Sequence, residues 1–470
     1  MGTCGPTWRR RGFALMLVVT LSLVAPGLPV SAQGEQGQIG SFRPIASFNV
    51  PGGGVAEIVS ATPDGNTLVY ANSGDGEIGI VDLTDPTAPT QTATIPVNGE
   101  PTSVSVVGDG SVAFAVVNTS ILEEEEAPVV TPGLLYAIAL PSGDVIGTRE
   151  IGNGPDSLAT TIIDGRLYAV IAIENQPIVV DDEGNLTDEE EPGNENDISG
   201  PGLIQIVAMD AAISEASLAA TTVTNVDLPV DLLAARGLLF PEDVQPEFVD
   251  IRDGKAAVTL QENNGVAIVD VVTGTLERVF SLGIISDRPA DLVEDDQISL
   301  TQSYPSDVGD EPFAGARLSD AIAWSVDGTR LYTADEGEQD FTGGRGWSIW
   351  SATGELLWDD GGQLERIAVS YGLYPEGRSD AKGIEVEGIE VGVYGKRQFA
   401  FVGSERGSFV AVYEITNNGH PRFIQVLPTG IGPEGLLTLP QRNLFVTSDE
   451  ETGTISVFEG VQGMYRGNPD

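Results

Sequence analysis

The chain has 470 residues, with 23 basic and 70 acidic side chains, a formal net charge of −47 and a single cysteine. Such a surface repels nucleic acid, whose binding needs lysine and arginine to release phosphate counterions, and it repels anionic lipid and free phosphate esters. Cations, basic partners or a salty environment suit it, and part of the acid simply keeps the protein soluble.

Arg9, Arg10 and Arg11 open a basic segment, residues 13–24 form an apolar one, and Val30-Ser31-Ala32 reads as a small-residue cleavage site. That is the pattern of a secretory signal over 1–32. Pro26 and Pro29 interrupt the apolar run, which is short of the roughly 20 residues a spanning helix needs. Arg10-Arg11-Gly12-Phe13 hints at twin-arginine export, although Arg9 stands where that motif prefers Ser or Thr. We expect a secreted or cell-surface monomer, cleaved near Ala32, with no membrane span. Cys4 would leave with the signal, so no disulfide, thiol nucleophile or cysteine-bound metal is expected. Losing three arginines takes the net charge to −50. Stability must then come from a large packed core, which the remaining 438 residues can build.

After a short linker at 33–40, seven patterned segments follow over 41–460, with a polar tail at 461–470. They open at Ala56-Glu57-Ile58, Pro101-Thr102-Ser103, Pro155-Asp156-Ser157, Pro246-Glu247-Phe248, Ser319-Asp320-Ala321, Val386-Glu387-Gly388 and Pro433-Glu434-Gly435. Only Thr102 breaks the acidic rule. The spacings are 45, 54, 91, 73, 67 and 47 residues, and the shortest match one four-stranded propeller blade. In the first unit, strands are expected at 57–61, 67–71, 78–83 and 90–97. Asp64-Gly65, Asp109-Gly110, Asp164-Gly165, Asp253-Gly254 and Asp327-Gly328 mark the first turn of five units; Asp-Gly tolerates the positive φ of a two-residue hairpin. The second strands are β-branched or aromatic, as in Leu68-Val69-Tyr70 and Phe399-Ala400-Phe401-Val402. The last unit, 434–459, has room for three strands only, and 42–50 supplies a fourth with Ala46, Phe48 and Val50 alternating. The fold class is therefore all-β: a seven-bladed propeller closed by an N-terminal strand that completes the last blade. Eight blades stay open as an alternative, because the 91-residue interval could hold a divergent one.

Long insertions fall at 123–132, 176–200 and 336–346, between second and third strands, and at 231–245, 285–318 and 369–384, between blades. In a propeller these all open on one face, and loops elaborated on one side of a rigid scaffold usually carry function.

Gly377-Arg378-Ser379-Asp380-Ala381-Lys382-Gly383-Ile384-Glu385-Val386-Glu387-Gly388-Ile389 resembles the signature of choice-of-anchor I domain proteins. Phe401-Val402-Gly403-Ser404-Glu405-Arg406, Ile431-Gly432-Pro433-Glu434-Gly435-Leu436 and Thr259-Leu260-Gln261-Glu262-Asn263-Asn264 add matching blocks. One departure is Ala334-Asp335-Glu336-Gly337-Glu338, where the family tends to show Ala-Asn-Glu-Gly-Asp. The resemblance implies an extracellular or surface seven-bladed propeller of largely unassigned activity. Ser448-Asp449-Glu450 after Gly432-Pro433-Glu434-Gly435 is also similar to exported phytase-like propellers, in which calcium bridges carboxylates and substrate phosphate.

The single histidine, His420, sits in a third-to-fourth-strand turn and is a poor catalyst candidate; histidine-ligated zinc is excluded by count. The carboxylates at Glu57, Asp156, Glu247, Asp320, Glu387 and Glu434, joined by Asp449 and Glu450, are the candidate metal ligands. Converging carboxylates repel, and hard divalent cations take 6 to 8 such oxygens, so calcium is the natural cofactor. The competing reading is structural: each acid caps its own turn or pairs with Arg378, Lys382 or Arg406. We expect an extracellular binding domain for a protein, glycan or ion. Whether it is also an enzyme stays open. The alternative is a calcium-dependent phosphoesterase in which Arg378, Lys382 and Arg406 contact the phosphate.

Overall fold

The computed structural model describes residues 38–121, 128–180, 186, 194, 196–286, 288–304, 315–337, 343–416 and 419–463. The signal segment with Cys4, the acidic stretch 181–185 and most of the C-terminal tail lie outside the described residues.

Seven four-stranded antiparallel sheets follow one another along the chain. Their innermost strands are Val59–Ala61, Glu100–Val107, Pro155–Ile163, Pro246–Arg252, Ser319–Trp324, Ile389–Tyr394 and Pro433–Leu439, numbered here as blades 1 to 7. Each innermost strand packs against those of the neighbouring blades, so the seven close a ring around a central channel. Among the described residues, the 91-residue interval holds no eighth blade. It contains the long connection between Arg166–Ile173 and Leu203–Asp210, and two short helices, Glu215–Ala219 and Val230–Ala235. A further two-stranded sheet, Arg288–Ala290 paired with Gln302–Tyr304, belongs to the connection between blades 4 and 5.

The second and third strands carry the core. Leu68, Phe114, Val170, Val258, Leu331, Phe401 and Val446 are each fully buried, and each contributes about 1.5–3 kcal/mol relative to exposure. Asp164-Gly165 and Asp253-Gly254 form two-residue hairpins with positive φ at both positions, 50° and 79° in one, 49° and 78° in the other. Asp64, Asp109 and Asp327 head wider turns, in which the carboxylate accepts the backbone N–H two residues on, at 3.0, 3.0 and 3.1 Å. Asp side chains stabilise turns in this way.

Blade 7 is completed by Ile39–Asn49, which pairs antiparallel with Thr454–Gln462. The strand begins at Ile39, inside the stretch read as linker, because Ile39 pairs with Gln462 and is itself buried. Phe42 packs edge-on against Tyr394, Phe399 and Phe401 at 4.9–5.4 Å, and Phe401 stacks on Phe445 at 4.0 Å. These rings lock blade 6 to the closing strand. The side-chain amide of Gln425 adds a two-way clasp, accepting from Phe42 N–H at 2.8 Å and donating to its carbonyl at 2.9 Å.

An innermost strand has no hydrogen-bonded neighbour on its channel edge, and side chains from adjacent blades satisfy part of that edge. Ser60 Oγ accepts from Val106 N–H at 3.0 Å, and Asp250 Oδ2 accepts from Trp324 N–H at 2.7 Å. The Thr438 hydroxyl donates to Glu390 Oε1 at 2.8 Å.

A candidate cation site on the channel axis

Five of the seven positions singled out by the repeat lie within a bulge. The register shifts fall between Pro101 and Ser103, Pro155 and Leu158, Pro246 and Val249, Ser319 and Ile322, and Pro433 and Gly435. A bulge re-aims the side chain of the residue it inserts, and here those residues are Thr102, Asp156, Glu247, Asp320 and Glu434. Glu57 and Glu387 stand just before the innermost strands of blades 1 and 6. The proline opening four of the segments removes an N–H that the bulge would leave unpaired.

The result is a convergence of carboxylates. Asp156, Glu247, Asp320, Glu387 and Glu434 line one cavity of about 40 Å³ on the axis, with Ile58, Ser157 and Phe248. Thr102 takes the seventh place; its hydroxyl bonds to the carbonyls of Pro155 and Asp156, both at 2.9 Å. Buried oxygens Glu57 Oε2, Glu247 Oε2 and Glu434 Oε2 accept no hydrogen bond among the described residues. Burial, reinforced by neighbouring carboxylates, holds Asp156, Glu247, Asp320, Glu387 and Glu434 well above the ordinary carboxylate range. Burial also pushes Glu57 up to about 8, against a Ser73 hydrogen bond and with help from Glu450 and Glu100. Without a cation, these carboxylates keep their protons to higher pH than ordinary carboxylates do.

A second tier of acids surrounds the ring. Glu174 raises Asp156, Glu247 and Asp320; Glu336 raises Glu247, Asp320 and Glu387; Glu450 raises Glu57 and Glu434. Burial takes Glu405 up to about 7. Asp320, Glu336 and Glu387 bring one oxygen each within 4.8 Å of one another, as do Glu385, Glu387 and Glu405. Asp449 does not join them. Its oxygens accept from Thr447, Thr454 and Ser456 hydroxyls at 2.7, 2.8 and 2.6 Å, and from Gly430 N–H at 3.0 Å. It is a buried clamp, the same duty that Asn72, Asn175, Asn263 and Asp335 perform in other blades.

The three cations expected to meet phosphate are engaged by acids. Arg378 pairs with Glu385 at 2.9 Å, Lys382 with Glu336 at 2.7 Å, and Arg406 with Glu385 and Glu405 at 3.1 and 3.0 Å. The sequence reading had no place for Glu385, Glu100 or the buried arginines behind them. Arg317 bonds Asp335 at 3.1 Å and Asp359 at 2.5 Å; Arg288 bonds Asp359 at 2.7 Å; Arg345 faces Glu365 at 3.5 Å. Glu365 arrives on the helix Gln363–Tyr371, bounded by left-handed Gly362 and Gly372 and packed through Leu364 and Ala368. Its apolar residues were a usable signal; the distant arginine partners left none. His420 lies in the turn between Phe409–Ile415 and Pro421–Pro428, as expected.

Comparison with curated protein sequences finds no match. Among solved structures, Kuenenia stuttgartiensis hydrazine synthase is similar with a TM-score of 0.54 and 11% identity, covering 88% of this chain and 98% of that one. The Myceliophteria thermophila Cps50 (Swd1) β-propeller domain is similar with a TM-score of 0.50 and 11% identity, covering 90% and 100%. At that identity the likeness shows the propeller fold alone. The family model of the choice-of-anchor I domain matches residues 57–308 and 339–418, which take in Glu57, Asp156, Glu247 and Glu387 of the ring and the Gly377-to-Ile389 signature, but not Asp320 or Glu434. The chain belongs to the choice-of-anchor I domain family.

Proposed function

We propose that this protein is a surface or extracellular interaction domain whose carboxylate ring binds a divalent cation, calcium by its donor chemistry, and through it a protein or glycan partner. The observation that carries the reading is the buried oxygens of Glu247 and Glu434 that line the axial cavity and accept no hydrogen bond among the described residues, with a like oxygen on Glu57, which is close enough to raise Glu434. Unpaired buried acceptors are costly, and a hard cation is the ligand that oxygen donors of this kind stabilise. Glu450 stands close enough to raise both Glu57 and Glu434 and is the natural outer donor. Calcium titration by calorimetry tests it: heat of binding that weakens in Glu434→Gln is expected. No heat in the wild type would end the reading.

A calcium-dependent phosphoesterase is the second reading. One observation favours it: the Arg378 and Arg406 side chains keep 35% and 36% of their surface open beside the ring. Hydrolysis of a model phosphate ester that chelator abolishes is the outcome it requires; turnover indifferent to chelator counts against it.

A further inference from the structure

One of the chain's own cations that the ring meets is a lysine. Lys382 lies in the signature loop, next to Gly383, whose φ is +64°. Its ammonium donates to Glu336 Oε1 at 2.7 Å, with the two side chains only 18% and 4% exposed. Glu336 also accepts from the Gln261 amide at 2.5 Å, which fixes its carboxylate. That carboxylate belongs to the tight group with Asp320 and Glu387, their oxygens within 4.8 Å of one another. Lys382 also favours the ionised form of Asp320. Of the six repeated ring acids, those that keep a buried oxygen without a hydrogen bond among the described residues are Glu57, Glu247 and Glu434.

We propose that Lys382 is a tethered cation occupying the seat formed by Asp320, Glu336 and Glu387, which closes that seat to external divalent ions and leaves them the remainder of the ring. The inference rests on the reading of the ring as a cation site. An ammonium and a hard dication compete for the same oxygens, and the lysine, covalently held at short range, needs no binding entropy to stay. Removing its charge leaves three close carboxylates with no ammonium among them, which is the ligand set a dication takes.

The test is calcium titration of the purified chain, counting ions bound to wild type, Lys382→Met and Lys382→Arg. Lys382→Met is expected to bind one more calcium ion than wild type, and Lys382→Arg, which keeps the charge, the wild-type number. If Lys382→Met fails to fold, Lys382→Gln, which keeps a donor toward Glu336, takes its place with the same expected gain. Wild-type binding with no gain in the folded neutral variant overturns the proposal and leaves the ring reading standing. Binding in the variant but not in wild type does the reverse. No binding in either overturns both. A purely structural lysine would alter melting temperature without altering the count.

Discussion

Blades 5 and 6 and blades 7 and 1 present the same repeated carboxylate to the same channel, and they neutralise it in opposite ways. Around Asp320 and Glu387 the chain supplies Lys382, Arg378 and Arg406 itself, backed by buried Arg317, Arg288 and Arg345. Around Glu434 and Glu57 the acids raise one another, and each keeps a buried oxygen that accepts no hydrogen bond. Pseudo-symmetry fixes where the side chain goes. The insertions, which are not symmetric, decide whether a counter-ion meets it. On the function proposed above, the starved sector is the one that would take a cation from outside.

The largest effect comes from breaking the supplied sector. Arg317 is 4% exposed and Asp335 is fully buried, so Arg317→Met leaves a buried acid uncompensated at a cost of about 3–5 kcal/mol. Chemical denaturation should show this loss with or without calcium. A change below about 1 kcal/mol would mean that Ser319, Thr333 and Ser348 alone satisfy Asp335.

The starved sector should respond in the opposite sense. Glu57→Gln combined with Glu434→Gln removes two mutually repelling acids, so without calcium the double variant should melt higher than wild type. Calcium at about a hundredfold over its dissociation constant should stabilise wild type by about 2.7 kcal/mol by mass action, and the double variant by much less. A double variant that loses stability without calcium would show that these acids are turn caps.

The smallest effect sharpens the contrast through pH. Glu57 titrates near 8 in the fold against an ordinary 4.5, so between those values the folded state holds a proton that the unfolded chain has released. Stability should therefore fall as pH rises from about 5 to 8. Calcium, by displacing that proton, should flatten the slope. Glu414, held down to about 2 by Arg397 and Arg422, works the other way. Its contribution is complete above its ordinary value and is lost as pH falls toward 2. Melting curves across pH, with and without calcium, separate the two; a slope insensitive to calcium would detach Glu57 from any cation site.

Seven recurring segment starts, six of them acidic, Asp-Gly turns and β-branched second strands were enough to read seven blades and a shared closing blade from the chain alone. They are local patterns, each repeated with its own mechanism, and a propeller is their sum. The convergence of Asp156, Glu247, Asp320, Glu387 and Glu434 was legible for the same reason: equal positions in repeats become neighbours on one axis. The division of labour at the end of the second strand was not. Asp449 and Glu450 are adjacent and both acidic, yet one turns inward to three hydroxyls while the other faces the ring acids. Nor could the sequence say which acids would find a cation. Arg345 meets Glu365 and Arg317 meets Asp359 only because two insertions fold back over blade 5. Those pairings depend on long-range packing of unique loops, and packing of that kind leaves no period in the chain to read.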